Sequence, residues 1–250
     1  MGMMLRDLKI TLVFLTRLPL RPQGQVAMGD LASVVHWFPV VGLLVGAVGG
    51  VAFTLAHYLH LPSWPAAVLA LGAMLLLTGA LHEDGLADTA DALGALPDRK
   101  RALEVMRDSR IGSFGTLALI LVVGGKLGAL AAFWEPLVAM AALIAAAAFS
   151  RALMPVVMWL QPSARGQGLA AQAGRPSVDR VLIGLALAAV LAILLLPAGQ
   201  GLGAMLAAAL VAALTAQTLG RAFGGCTGDT LGAVQQMSEL AFLFALVAWR

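Results

Sequence analysis

Six long stretches of this chain are almost wholly apolar: 37–59, 64–81, 114–134, 137–160, 181–197 and 202–219. A helix needs roughly 20 such residues to cross a hydrocarbon core about 30 Å thick, and these stretches are close to that length. A seventh, 240–249, is too short to span unless it starts near Val234. Strands of a membrane barrel would alternate apolar and polar residues, and these runs do not. Of the 250 residues, 60% are hydrophobic and 12% charged. With a mean hydropathy of +0.92, there is too little polar side chain to cover a water-soluble globule of this size. One cysteine, Cys226, leaves no intrachain disulfide scaffold. A net charge of +3 without a long basic run argues against nucleic-acid binding. The expected fold is all-α: a polytopic transmembrane helical bundle of about six to seven spans, forming one integral-membrane domain over residues 1–250.

Residues 1–20 break the pattern. Arg6, Asp7, Lys9 and Arg17 interleave with Leu5, Leu8, Leu12 and Leu15 at helical period, as in a helix lying in the membrane interface. Arg17 interrupts what would be the apolar core of a cleaved signal peptide. With this end on the cytoplasmic side, loops 82–113, 161–180 and 220–237 share that side. They and the N-terminal segment then hold 13 of the 16 Lys and Arg residues: Arg6, Lys9, Arg17, Arg21, Arg99, Lys100, Arg101, Arg107, Arg110, Arg165, Arg175, Arg180 and Arg221. The opposite loops hold none, which sets the orientation by the excess of positive charge inside. Of 13 Asp and Glu residues, only Glu135 falls on the far side. The chemistry is expected at the cytoplasmic face.

Three clusters carry it. In His82-Glu83-Asp84-Gly85-Leu86-Ala87-Asp88-Thr89-Ala90-Asp91, a continuing helix puts Asp84, Asp88 and Asp91 on one face by i+4 and i+3 spacing. Stacked carboxylates without local basic partners suggest a divalent cation. Hard oxygen ligands favour Mg²⁺, which commonly bridges to substrate phosphates. Arg107-Asp108-Ser109-Arg110-Ile111-Gly112 precedes an apolar run, and arginine forks beside a helix N-terminus suit an anion. The segment Gly224-Gly225-Cys226-Thr227-Gly228-Asp229-Thr230-Leu231-Gly232 allows close backbone approach to a ligand through Thr227, Gly228, Asp229 and Thr230. Lys126 and Arg151 lie deep in apolar runs, where charges are paired or functional; a recessed substrate anion is one role for them. His36 and His82 are candidate proton carriers. Together the clusters read as a metal-dependent phosphoryl-transfer constellation on a phosphate or pyrophosphate ester.

The motifs Phe14-Leu15-Thr16-Arg17-Leu18-Pro19, Phe38-Pro39-Val40-Val41-Gly42, residues 79–95 around His82-Glu83-Asp84-Gly85, residues 107–112 and Thr227-Gly228-Asp229-Thr230 resemble the bacterial cobalamin synthase (adenosylcobinamide-GDP ribazoletransferase) family. The resemblance runs nearly the whole chain, in order. One departure is Glu83, where the family pattern carries a hydrophobic residue. The resemblance implies a Mg²⁺-dependent inner-membrane enzyme. It joins adenosylcobinamide-GDP to α-ribazole or its 5′-phosphate and releases GMP. On that implication Asp84, Asp88 and Asp91 hold Mg²⁺ on the pyrophosphate, and Arg107 and Arg110 bind phosphate oxygens. One of the carboxylates or His82 takes the proton of the attacking hydroxyl, and Asp229 with the glycine loop around Thr227–Thr230 completes the metal or nucleotide site. Partners would be the corrinoid nucleotide, α-ribazole, the lipid bilayer and other enzymes of the cobalamin pathway.

Two other readings compete. A CDP-alcohol phosphotransferase also places spaced aspartates at the membrane face. Its pattern, however, has Arg where Asp88 stands and a final Asp where Ala102 stands. An ion-coupled transporter would put its acids near mid-membrane and show an internal repeat, neither of which is seen.

Overall fold

The computed structural model describes residues 2–20, 31–108, 110–165 and 168–249. Arg21 and Ser109, named in the charge and motif readings, lie outside the described residues. Among the described residues twelve helices follow in order: α1 Gly2–Leu15, α2 Leu31–Val34, α3 Phe38–Tyr58, α4 Ser63–Thr78, α5 Leu81–Leu93, α6 Arg99–Val105, α7 Ser113–Ala131, α8 Pro136–Leu160, α9 Leu169–Ala173, α10 Val178–Leu195, α11 Ala198–Phe223 and α12 Gly228–Ala248. A 3-10 turn over Val35–Trp37 joins α2 to α3. Among the described residues the only β contact is an isolated parallel bridge between Ser163 and Cys226. The all-α membrane bundle is therefore the fold.

Among the described residues six elements are long and apolar enough to cross a membrane, Leu31–Tyr58, α7, α8, α10, α11 and α12, and a seventh if the bent pair α4 and α5 counts as one span. The stretch 64–81, read from sequence as a full span, ends earlier. Helix α4 has 16 residues, about 24 Å at 1.5 Å per residue, and turns by 89° into α5. Gly79 (φ +65°) and Ala80 (φ +55°) make the turn with two successive left-handed residues. A Cβ on Gly79 would fall on the side chain of Arg17, whose backbone N–H donates to Leu77 O at 2.7 Å. Helix α5 is short and carries Glu83, Asp84, Asp88 and Asp91.

The last span also differs from expectation. The loop placed at 220–237 is in fact the end of α11, a four-residue connection and the first turns of α12. Helix α12 is 21 residues long, because Gln235, Gln236, Ser238 and Glu239, polar in sequence, are buried inside the bundle. Polar residues that satisfy one another inside a bundle are compatible with a span.

Helices α3 and α8 form the centre. A Cβ at Gly42 would fall on the backbone of Ala147 and Ala148, and one at Gly46 on Leu143 and Ile144, so the two helices touch backbone to backbone, as small residues permit in membranes. Leucines and isoleucines of α7, α10 and α11, such as Leu121, Leu194 and Leu206, face outward, as a lipid-facing surface requires.

Gly79→Ala adds a side chain at a left-handed residue and displaces Arg17. It is expected to destabilise the protein by about 1–2 kcal/mol. Thermal unfolding in detergent micelles checks this; an unchanged midpoint would mean that the bend tolerates a side chain.

Candidate active site

The site forms where the first turns of α5 and α12 cross. A Cβ on Gly85 would meet Asp229 O at 2.9 Å and its Cα at 3.0 Å, and one on Gly232 would meet His82 O at 3.0 Å. Only glycine at both positions allows this approach. The crossing brings Asp84 and Asp88 of α5 to Asp229 of α12, 145 and 141 residues away in sequence. Asp84, Asp229, His82 and Gly228 share the wall of one cavity of about 210 Å³, whose other residues are mainly apolar.

The electrostatics show how close the acids are. Asp88 is pushed up to about 7, first by burial and then by the charges of Asp84, Asp229 and Asp91; Arg165 opposes the shift. Arg165 is the basic member of the site. Its Nη1 lies 3.4 Å from Asp229 Oδ2 and its Nη2 donates to Leu103 O at 3.2 Å, while its buried Nε has no partner among the described residues. Burial is the main influence lowering its pKa, Asp229 raises it, and the charge of Arg107 lowers it further. Arg165 is placed by the parallel bridge: Cys226 N donates to Pro162 O and Ala164 N to Cys226 O, both at 2.9 Å. The sequence reading counted Arg165 for topology but gave it no role in the site. It stands in a loop without a local anion motif, and only the bridge sets it against Asp229.

Asp91 has a different task from the one expected. Its Oδ2 accepts from Gly112 N at 2.7 Å and its Oδ1 from Gly115 N at 2.8 Å. Both oxygens cap the N-terminus of α7, so the metal set of Asp84, Asp88 and Asp91 loses its third member to a helix cap. The anion site expected beside Gly112 is filled by the protein's own carboxylate. Arg110 is bound by Asp108 at 2.6 Å. It is exposed, and its guanidinium holds Asp108 down to about 2. Arg107 is exposed too, with its charge felt at Arg165.

Thr227 and Thr230 are also structural. Thr227 Oγ1 accepts from Thr230 N at 3.1 Å and Thr230 Oγ1 accepts from Thr227 N at 2.8 Å, a reciprocal cap that starts α12. Both are buried. Of the four loop residues expected to contact substrate, Gly228 and Asp229 line the cavity.

Lys126 and Arg151 are buried among partners supplied by the protein itself. Lys126 Nζ donates to Glu239 Oε1 and Gln236 Oε1, both at 2.7 Å. Glu239 Oε2 accepts from Arg151 Nη1 at 3.4 Å and Ser150 Oγ at 3.3 Å. Gln236 Nε2 reaches Glu83 Oε1 at 2.7 Å. Glu239 is the shared partner of both cations, one that neighbouring sequence did not indicate, while Arg151 Nε and Glu83 Oε2 stay buried without a partner among the described residues. His82 is only 1% exposed, and neither ring nitrogen has a partner among the described residues. His36 lies against Arg180, away from the acids, with Nη1 at 3.2 Å from its Nε2.

Among the described residues no three His, Cys, Asp or Glu side chains enclose a metal ion by themselves. The donor set still fits Mg²⁺. That ion takes only one or two protein carboxylates and completes its shell with water and substrate phosphate, and Asp84 and Asp229 share one cavity wall.

Residues 7–247 match the family model for cobalamin-5-phosphate synthase. Similar proteins include the adenosylcobinamide-GDP ribazoletransferase of Mesorhizobium japonicum, 43% identical over 239 residues that cover 96% of this chain and 92% of that one. The protein of the same name from Bradyrhizobium diazoefficiens is 42% identical over 244 residues, 98% and 94% of the two chains. That from Brucella abortus is 41% identical over 247 residues, 95% and 94%. No solved structure matches the chain.

Two outcomes follow from this geometry. Asp91→Ala is expected to lower stability by about 1–2 kcal/mol through loss of the α7 cap while leaving the affinity for Mg²⁺ unchanged; unfolding and metal titration of the same variant check both. Asp88 has its pKa raised on folding, so its stabilising share is complete below the unfolded carboxylate range near 4 and is lost as pH rises toward about 7. In the metal-free protein a carboxyl carbon resonance titrating near 7 is expected, moving down in Asp229→Asn. Titration near 4 in both would show the carboxylates to be uncoupled.

Proposed function

The chain belongs to the cobalamin-5-phosphate synthase family, and on that premise we propose that it transfers the adenosylcobinamide-phosphate moiety of adenosylcobinamide-GDP to α-ribazole or its 5′-phosphate. The observation that carries this reading is the meeting of Asp84, Asp88 and Asp229 beside Arg165 at one end of the bundle. A ribose hydroxyl attacks the phosphorus on the corrinoid side. The new O–P bond forms as the P–O bond to GMP breaks, and GMP leaves with the electron pair. The hydroxyl proton passes to Asp88, whose burial and then acidic neighbours favour its protonated form. Arg165, with Arg107 at its side, stabilises charge on the pyrophosphate oxygens as GMP departs.

Asp84 and Asp229 would hold Mg²⁺, which supplies charge neutralisation at the pyrophosphate. Arg110, exposed and held by Asp108, is assigned to the approach of the anionic nucleotide rather than to the reacting phosphorus. The protein is placed in the bacterial inner membrane with this site facing the cytoplasm. The support is the gathering of 13 of the 16 basic residues on one side. Association with other enzymes of the pathway accords with a membrane-held site for soluble substrates.

Purified protein in liposomes, given adenosylcobinamide-GDP and α-ribazole with Mg²⁺ or EDTA, is expected to release GMP in step with the corrinoid product only with Mg²⁺. Chromatography of both products reads the result. Asp84→Asn and Arg165→Met should each lower kcat by about 10²–10³ without unfolding the protein. Full Mg²⁺-dependent turnover in Asp84→Asn would remove that residue from the metal site.

A further inference from the structure

Among the described residues, two side chains of α5 make hydrogen bonds to other helices. Asp91, near its end, accepts from the start of α7. Glu83, in its first turn, accepts at Oε1 from Gln236 Nε2 of α12 at 2.7 Å. Asp84 follows Glu83 directly and stands two turns before Asp91. Gln236 is itself held. Its Oε1 accepts from Lys126 Nζ at 2.7 Å, and its Nε2 also donates to Gln235 Oε1 at 2.8 Å. The grip on Glu83 therefore runs back through a buried lysine to α7. The glycine approaches at Gly85 and Gly232 let α5 and α12 close up, but a glycine has no side chain to stop a helix turning about its own axis. Consecutive residues lie about 100° apart round an α-helix, so holding Glu83 toward α12 fixes the direction in which Asp84 leaves α5. Glu83 also carries charge. Lys126 and Arg151 are two buried cations that share one anion, Glu239. Glu83 supplies a second anion, and its charge acts on Arg151.

Resting on the function proposed above, we infer that Glu83 is a positioning residue for Asp84: its reach to Gln236 sets the rotation of α5, and with it the spacing of Asp84 from Asp229. Glu83 acts through Asp84 and is not itself a metal ligand. Outer partners of this kind change metal affinity or activity by about 10–100-fold when they are lost. A group displaced by about 1 Å from its working position costs about 10²-fold in rate. The charge of Glu83 serves a separate end. It balances the buried cations, which bears on stability and not on spacing. Reach and charge are therefore distinct properties of one side chain, and each has its own readout.

Two conservative variants of the whole protein, in detergent or liposomes, separate the two properties. Glu83→Gln keeps the length and the acceptor and removes the charge. Glu83→Asp keeps the charge and withdraws the carboxylate by one methylene. Each is read by Mg²⁺ titration without substrate, by kcat with adenosylcobinamide-GDP and α-ribazole, and by thermal unfolding. Glu83→Gln is expected to lower the unfolding midpoint, because a buried cation loses its counter-charge. Its Mg²⁺ affinity and kcat should stay within about threefold of the unmodified protein. Glu83→Asp is expected to keep a midpoint closer to that of the unmodified protein and to lose about tenfold or more in both Mg²⁺ affinity and kcat. The opposite ranking, or losses that simply follow the midpoint, would overturn the inference, since Glu83 would then only stabilise. If Glu83→Gln folds poorly, combining it with Arg151→Met restores the charge balance, and the double variant should show the same retained affinity. The Mg²⁺ ranking needs no turnover. If no form releases GMP, the function proposed above fails, while a tenfold weaker Mg²⁺ affinity in Glu83→Asp alone still supports the positioning of Asp84. Intact turnover in both variants refutes the positioning role and leaves that function standing.

Discussion

The buried carboxylate of Glu239 holds the bundle in register. It joins Lys126 of α7, Arg151 of α8 and its own helix α12, and through Gln236 the network reaches Glu83 of α5. Removing one partner from such a group leaves an uncompensated charge, typically a loss of about 3–5 kcal/mol. A pair of this kind adds little net stability over an apolar replacement. Its effect here is placement: α12 cannot slide or rotate without stranding a cation. That fixes Gly232 against His82 and Gly85 against Asp229, and hence the crossing on which the acidic site depends.

A second constraint concerns helix ends. Every helix leaves unsatisfied N–H groups at its start, and two starts near this site are closed internally. Asp91 closes α7, and the Thr227–Thr230 pair closes α12. These caps use residues whose chemistry also suits ligand binding, which is why they read as site residues. Asp84, Asp88 and Asp229, the last in long contact with Arg165, close no helix start of that kind.

The spans were legible because apolar length alone decides whether a helix can cross a bilayer. The bend after α4 was not, since it depends on two left-handed residues and on the packing of Arg17. The start of α12 was hidden by its own polar residues, which look solvated in sequence and are satisfied across the bundle. Pairing was the least legible feature. Lys126 meets partners 110 and 113 residues away, and Arg165 meets Asp229 across 64. Helical periodicity correctly put Asp84, Asp88 and Asp91 on one helix, but spacing does not reveal that Asp91 has a neighbour to cap.

The Asp91 cap has a mechanical side. Helix α7 has 19 residues and is mostly exposed to its surroundings, so its tilt answers to the thickness of the hydrocarbon around it. Its first turn is fastened by two hydrogen bonds to α5, the helix that carries Asp84 and Asp88. The carboxylate is thus a strut between an outward-facing rod and the helix that carries the acids, through which a change in the tilt of α7 is passed to α5.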